Sequence, residues 1–167
     1  SRRFYDIYFK NLETGEVLDN PIQNTEGDIA WANDNKTIFY TTKNKTTLLS
    51  EKIYRHRVGT LPQDDILVYH ENDIEYYTGV YRSKSGDYII IWNSSTLVSD
   101  YHILKADDPE GEFINFTPRG MEHEYTIEHL GDKFYIITNW EAKNNRLMGV
   151  SEENTRQSNW VEVLPHE

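Results

Sequence analysis

The chain has 167 residues and a formal net charge of -11, with 28 acidic against 17 basic side chains and no cysteine. Phosphate binding needs clustered Lys and Arg, so this balance excludes general affinity for nucleic acid, and the missing thiols exclude disulfide staples and thiolate metal sites. The longest apolar run is one strand's worth, which predicts neither a membrane-spanning helix nor a signal-peptide core.

Aromatic residues make up 13% of the chain, including 12 Tyr and 4 Trp, and such residues suit pleated, half-buried strands. No stretch keeps an i, i+3, i+4, i+7 apolar pattern through several turns. The composition therefore predicts an all-β fold. In chain order, Tyr5-Asp6-Ile7-Tyr8-Phe9 and Glu16-Val17-Leu18 flank Asn11-Leu12-Glu13-Thr14-Gly15, which reads as a hairpin with Gly15 at a positive φ. A dense strand follows at Ile38-Phe39-Tyr40-Thr41-Thr42, and others at Tyr88-Ile89-Ile90-Ile91-Trp92 and Phe134-Tyr135-Ile136-Ile137-Thr138-Asn139. From Ile38 to Tyr88 is 50 residues and from Tyr88 to Phe134 is 46. Later elements keep step: Ile53-Tyr54, His102-Ile103 and Arg146-Leu147, then Ile66-Leu67-Val68, Phe113-Ile114-Asn115 and Trp160-Val161-Glu162.

A repeat of roughly 40–50 residues with about four strands per unit is the signature of β-propeller blades. The dense strands are apolar on both faces, as strands sandwiched between neighbouring blades are. Polar turns precede them at Asn33-Asp34-Asn35-Lys36, Ser83-Lys84-Ser85-Gly86-Asp87 and Gly131-Asp132-Lys133. The spacing predicts a half blade over 4–20 and blades over 28–72, 76–119 and 124–167, about three and a half four-stranded antiparallel blades. That count closes no propeller alone. It leads us to expect a partial propeller whose uncovered blade edges favour self-association.

Chemistry-bearing motifs are sparse. No Gly-x-Ser-x-Gly elbow occurs, and His123-Glu124 is followed by Tyr125-Thr126-Ile127, so the zinc motif His-Glu-x-x-His is incomplete. The six His residues are scattered in a way that suits strand edges and loops. Asp64-Asp65, Glu71-Asn72-Asp73 and Asp107-Asp108-Pro109-Glu110 read as solvated turns, since none has the alternating spacing of an EF-hand loop. Tyr54-Arg55-His56-Arg57 is the one basic cluster; alternation puts Arg55 and Arg57 on one side of a strand and Tyr54 and His56 on the other. It reads as an interblade ion pair, or as an anchor for an acidic partner. We assign no catalytic, metal or cofactor residue.

Several of these segments resemble the propeller of the oligopeptidase B (protease II) branch of the prolyl oligopeptidase family. They are Tyr8-Phe9-Lys10-Asn11-Leu12-Glu13-Thr14-Gly15, Ala30-Trp31-Ala32-Asn33-Asp34, Ile53-Tyr54-Arg55-His56-Arg57-Val58-Gly59-Thr60 and Phe116-Thr117-Pro118-Arg119. The resemblance implies a cytoplasmic or periplasmic bacterial serine peptidase. In it a seven-bladed propeller caps an α/β-hydrolase domain, admits only short peptides, and cleavage follows Arg or Lys. It also implies that the triad lies in that other domain, so no triad residue maps onto this sequence. The implied partners are the hydrolase domain of the same polypeptide and short peptide substrates. A free-standing propeller that binds a peptide or protein is the alternative, and a carbohydrate-active propeller would need carboxylates converging from several blades.

Overall fold

The computed structural model describes residues 3–120 and 123–164. Among the described residues thirteen strands run in chain order: β1 (Tyr5–Ile7), β2 (Ile22–Trp31), β3 (Thr37–Lys43), β4 (Ser50–Arg57), β5 (Ile66–His70), β6 (Tyr77–Arg82), β7 (Tyr88–Ser94), β8 (Ser99–Lys105), β9 (Ile114–Asn115), β10 (Tyr125–Leu130), β11 (Lys133–Thr138), β12 (Arg146–Ser151) and β13 (Val161–Leu164). They form three antiparallel sheets in simple meander order, β1 to β5, β6 to β9 and β10 to β13. This is an all-β fold of blade-like sheets, as the repeat predicts.

Each blade turns tightly from its first strand to its second. In the first, Asp34 Oδ1 accepts from the amides of Lys36 and Thr37, both at 2.9 Å, and Asn35 takes φ 55°, so the side chain satisfies backbone donors the turn leaves open. Gly15 sits at φ 74°, and Lys10 and Val17 bridge across that hairpin. The 4–20 segment delivers β1 to the first sheet, which thereby has five strands. The next strand of that sheet, β2, starts at Ile22, ahead of the Asp28 expected from sequence as the start of the blade. The polar run from Gln23 to Asp28 hides it. The register with β3 slips between Thr25 and Ile29, where Gly27 has φ 105°, so the side-chain alternation that marks a strand is interrupted.

The second strands carry the packing. On β3, Ile38 and Tyr40 join Ile7, Phe9 and Ile22 on one side, while Phe39 joins Val80, Ile89 and Ile91 of the next blade on the other. On β7, Ile89 and Ile91 face back to the first blade, and Tyr88 and Ile90 face forward to Phe134, Ile136 and Trp160 of the third. Both faces of these strands are covered, and each wholly buried Ile or Phe contributes about 1.5–3 kcal/mol. Gly79 on β6 lies opposite Trp92 on β7; a Cβ there would come within 2.5 Å of the indole. Glycine at 79 is therefore a packing requirement.

Candidate functional site at the channel edge and blade seams

The first strand of the second sheet, β6, packs against β2 and β4 of the first, and β10 of the third packs against β8 of the second. The charged side chains on or just before β2, β6 and β10 are mostly acidic. Glu26 and Asp28 sit on β2, Glu75 just before β6, Glu124 just before β10 and Glu128 on it, against Arg82 at the end of β6. Glu26 pairs with Lys43 at 2.5 Å, and Glu128 Oε1 accepts from the Lys84 and His129 amides, both at 2.9 Å. Partial burial pushes the Asp28 carboxyl above its usual value. A groove of about 430 Å³ opens beside β10, lined by residues including Trp92, Tyr101, Glu124 and Thr126. A separate depression over Tyr135, Gly149, Val161 and Val163 lies on the open face of the third sheet.

Polar groups also gather in the seams. Arg119, on the connection between the second and third blades, donates through Nε to Asp100 Oδ2 and through its two terminal nitrogens to both oxygens of Glu71. Its guanidinium lies 3.9 Å from the Tyr76 ring centroid. Burial alone would raise the Glu71 carboxyl, but hydrogen bonds from Arg119, the Asp73 amide and Tyr69 outweigh it and hold the group below its ordinary value. Burial lowers His102, and neighbouring Asp100 offsets part of that.

In the first blade, Asp65 accepts from the Tyr40 hydroxyl at 2.7 Å and meets His56 Nδ1 at 2.7 Å, with Phe9 stacked on the imidazole at 5.3 Å. At the seam between the second and third blades, His129 Nδ1 lies 2.7 Å from Ser85 Oγ. Its Nε2 lies 2.9 Å from Glu152 Oε2, which also receives the Tyr88 hydroxyl at 3.2 Å.

Several expectations from sequence change. Asp65 and Glu71 are not solvated turn residues: their side chains are 2% and 5% exposed, each held by a partner. Asp107 does stay exposed, accepting from Asn33 at 2.7 Å. His56 and His129 are buried in seams, not set at edges or loops, with exposures of 1% and 0%. His166 lies outside the described residues. The basic cluster alternates as expected, with Tyr54 and His56 packed toward the amino-terminal hairpin. Arg55 ties the first blade to the second, but through the Pro109 carbonyl at 3.2 Å and not through an ion pair. No group of three or more His, Asp or Glu side chains among the described residues converges as metal ligands do.

The chain matches, over residues 1–167, the family described as "Prolyl oligopeptidase, N-terminal beta-propeller domain". It is 37% identical over 166 residues to dipeptidyl aminopeptidase BI of Pseudoxanthomonas mexicana, covering 99% of this chain and 23% of that protein. It is 32% identical over 146 residues to Protease 2 of Moraxella lacunata, covering 86% and 21%. Among solved structures, oligopeptidase B from Leishmania major superposes with a TM-score of 0.89 at 24% identity, over 99% of this chain and 23% of that one. Oligopeptidase B from Trypanosoma brucei with covalently bound antipain gives 0.81 at 25%, over 90% and 21%. The chain spans about a quarter of the length of the relatives it matches. It belongs to the prolyl oligopeptidase family, within the amino-terminal β-propeller of those larger peptidases.

Proposed function

We propose that this propeller gates the active site of a serine oligopeptidase that cleaves short peptides after Arg or Lys, and that these 167 residues themselves catalyse nothing. The observation that carries this reading is the set of carboxylates on or just before the first strands of the blades, Asp28, Glu75 and Glu124 among them, in a chain of net charge -11. A rigid ring over an active site turns the width of its channel into a size limit, and closing it excludes water from the chemistry beneath. Carboxylates along that passage raise the local concentration of cationic peptides, a rate effect that salt screens. The partner in this reading is the α/β-hydrolase domain of the same polypeptide, and the setting is the cytoplasm.

The test uses the whole peptidase and fluorogenic peptides of matched length carrying Arg or a neutral residue. The expected result is a kcat/KM for the Arg peptide that falls steeply with ionic strength while the neutral one is flat; equal salt dependence overturns the steering. The purified 167-residue chain should hydrolyse neither peptide. The 37% identity to a dipeptidyl aminopeptidase supports a second reading, in which the whole enzyme removes dipeptides from a free amino terminus. Peptides with free and acetylated amino termini separate the two, because only the dipeptidyl activity is abolished by acetylation.

A further inference from the structure

The seam between the second and third blades holds a hydroxyl, an imidazole and a carboxylate in one hydrogen-bonded line: Ser85 Oγ to His129 Nδ1 at 2.7 Å and His129 Nε2 to Glu152 Oε2 at 2.9 Å. Glu152, as a carboxylate, only accepts, so Nε2 carries the imidazole hydrogen and Nδ1 is left to accept from Ser85. Tyr88 donates its hydroxyl to the same Glu152 oxygen at 3.2 Å and fixes that carboxylate. His129 is fully buried, its ring packed against Tyr88 and Phe134, so its orientation is set by more than the hydrogen bonds. Ser85 is partly exposed on the turn between β6 and β7. A nucleophile within reach of a base that a third group orients is the geometric signature of an activated hydroxyl.

We propose that Ser85 is a reactive serine, a site of covalent capture by electrophilic phosphonyl or acyl compounds. With an alkyl fluorophosphonate, Ser85 Oγ forms a bond to phosphorus, the phosphorus–fluorine bond breaks and fluoride leaves. The hydroxyl proton passes to His129 Nδ1, and the resulting imidazolium is held by Glu152. The same seam denies it turnover. The Gly86 amide is committed to the Ser83 carbonyl at 2.9 Å, and the Asp87 amide to Ser85 Oγ at 3.2 Å. Neither is free to hold an oxyanion, and the loss of one such donor alone costs about 10²–10³ in rate. The chemistry it supports is stoichiometric labelling by reagents that bring a good leaving group, not peptide hydrolysis.

The experiment treats the purified chain with an alkyl fluorophosphonate and locates the adduct by peptide mass spectrometry. One adduct per chain on Ser85 is expected, absent in Ser85→Ala and unchanged in Ser95→Ala. General-base assistance is worth roughly 10²–10⁴, so Glu152→Gln, which disturbs a partly exposed residue and leaves His129 in place, should slow labelling at least about tenfold. Circular dichroism checks that each variant is folded. No adduct on the folded native chain overturns the proposal. So does labelling that spreads over several serines, or that Glu152→Gln leaves unchanged, since a purely structural seam tie predicts those results.

Discussion

Replacing Arg119 by Met should be the most damaging single change among the charged residues of this fold. Its guanidinium bridges Glu71 and Asp100, whose side chains are 5% and 2% exposed, while its own is 30% exposed. Met keeps most of the stem's packing and removes the charge, leaving two buried carboxylates with neutral hydrogen-bond donors but without their cation. Breaking a buried pair from one side costs about 3–5 kcal/mol. At an effective dielectric near 20, one unit pair at about 4 Å is worth roughly 4 kcal/mol, which agrees in scale. Urea unfolding followed by tryptophan fluorescence measures it. With a slope of about 2 kcal/mol/M, the midpoint should fall by about 1.5–2.5 M at pH 7 with the slope unchanged. The pH dependence supplies the sign. The Glu71 carboxyl is held below its ordinary value in the folded chain, so its contribution is complete above the unfolded-state value. It is lost as pH falls through the lower folded one. Arg119→Met should therefore narrow its gap to the native chain as the solution is acidified through the carboxylate range. A midpoint change under about 0.5 M at pH 7, or a gap that widens on acidification, would refute the reasoning.

Other outcomes follow from the same packing. Gly79→Ala pushes a methyl into the Trp92 ring and should cost about 1–3 kcal/mol, with a shift in Trp fluorescence that Gly120→Ala, where nothing lies within 4 Å of the added atom, does not give. Tyr40→Phe removes a hydrogen bond to the buried Asp65 carboxylate and should cost about 1.5–3 kcal/mol in the same denaturation assay. Burial first, and Asp100 second, push the Tyr101 hydroxyl up to about 12. A Tyr101→Phe difference titration by ultraviolet absorbance should thus show no tyrosinate signal from this residue at pH 10.

The blades are legible in the sequence because one physical condition writes itself plainly. A strand covered on both faces has no polar position to spare, so Ile38 to Thr42 and Tyr88 to Trp92 read as unbroken dense runs. The start of β2 is illegible for the converse reason. It pairs with β1 on one side and β3 on the other, but its register slips between Thr25 and Ile29 and most of its side chains there are polar, so Gln23 to Asp28 look like loop. The buried polar clusters were hidden more deeply. Asp65 and Glu71 have the composition of turn residues, and only the chain's return brings Tyr40, His56 and Arg119 onto them.

Several of the polar ties between blades keep step with the repeat. Ser85 and His129 are 44 residues apart, Tyr81 and the Ile127 carbonyl 46, Glu71 and Arg119 48, Asn33 and Arg82 49. These lie close to the 50 and 46 residues that relate one dense strand to the next, because corresponding levels of adjacent blades face each other across a seam. For these pairs the repeat predicts coupling as well as fold, while others, such as Tyr88 with Glu152 at 64 residues and Asn33 with Asp107 at 74, join different levels. Double-mutant cycles test this directly. Glu71 with Arg119 should return an interaction energy within about 0.5–3 kcal/mol, while Glu71 with Arg82, which share no partner, should add to within about 0.3–0.5 kcal/mol. Coupling of the second pair as strong as the first would mean that the seams transmit strain along the whole array, and that the period marks geometry without marking energetic partnership.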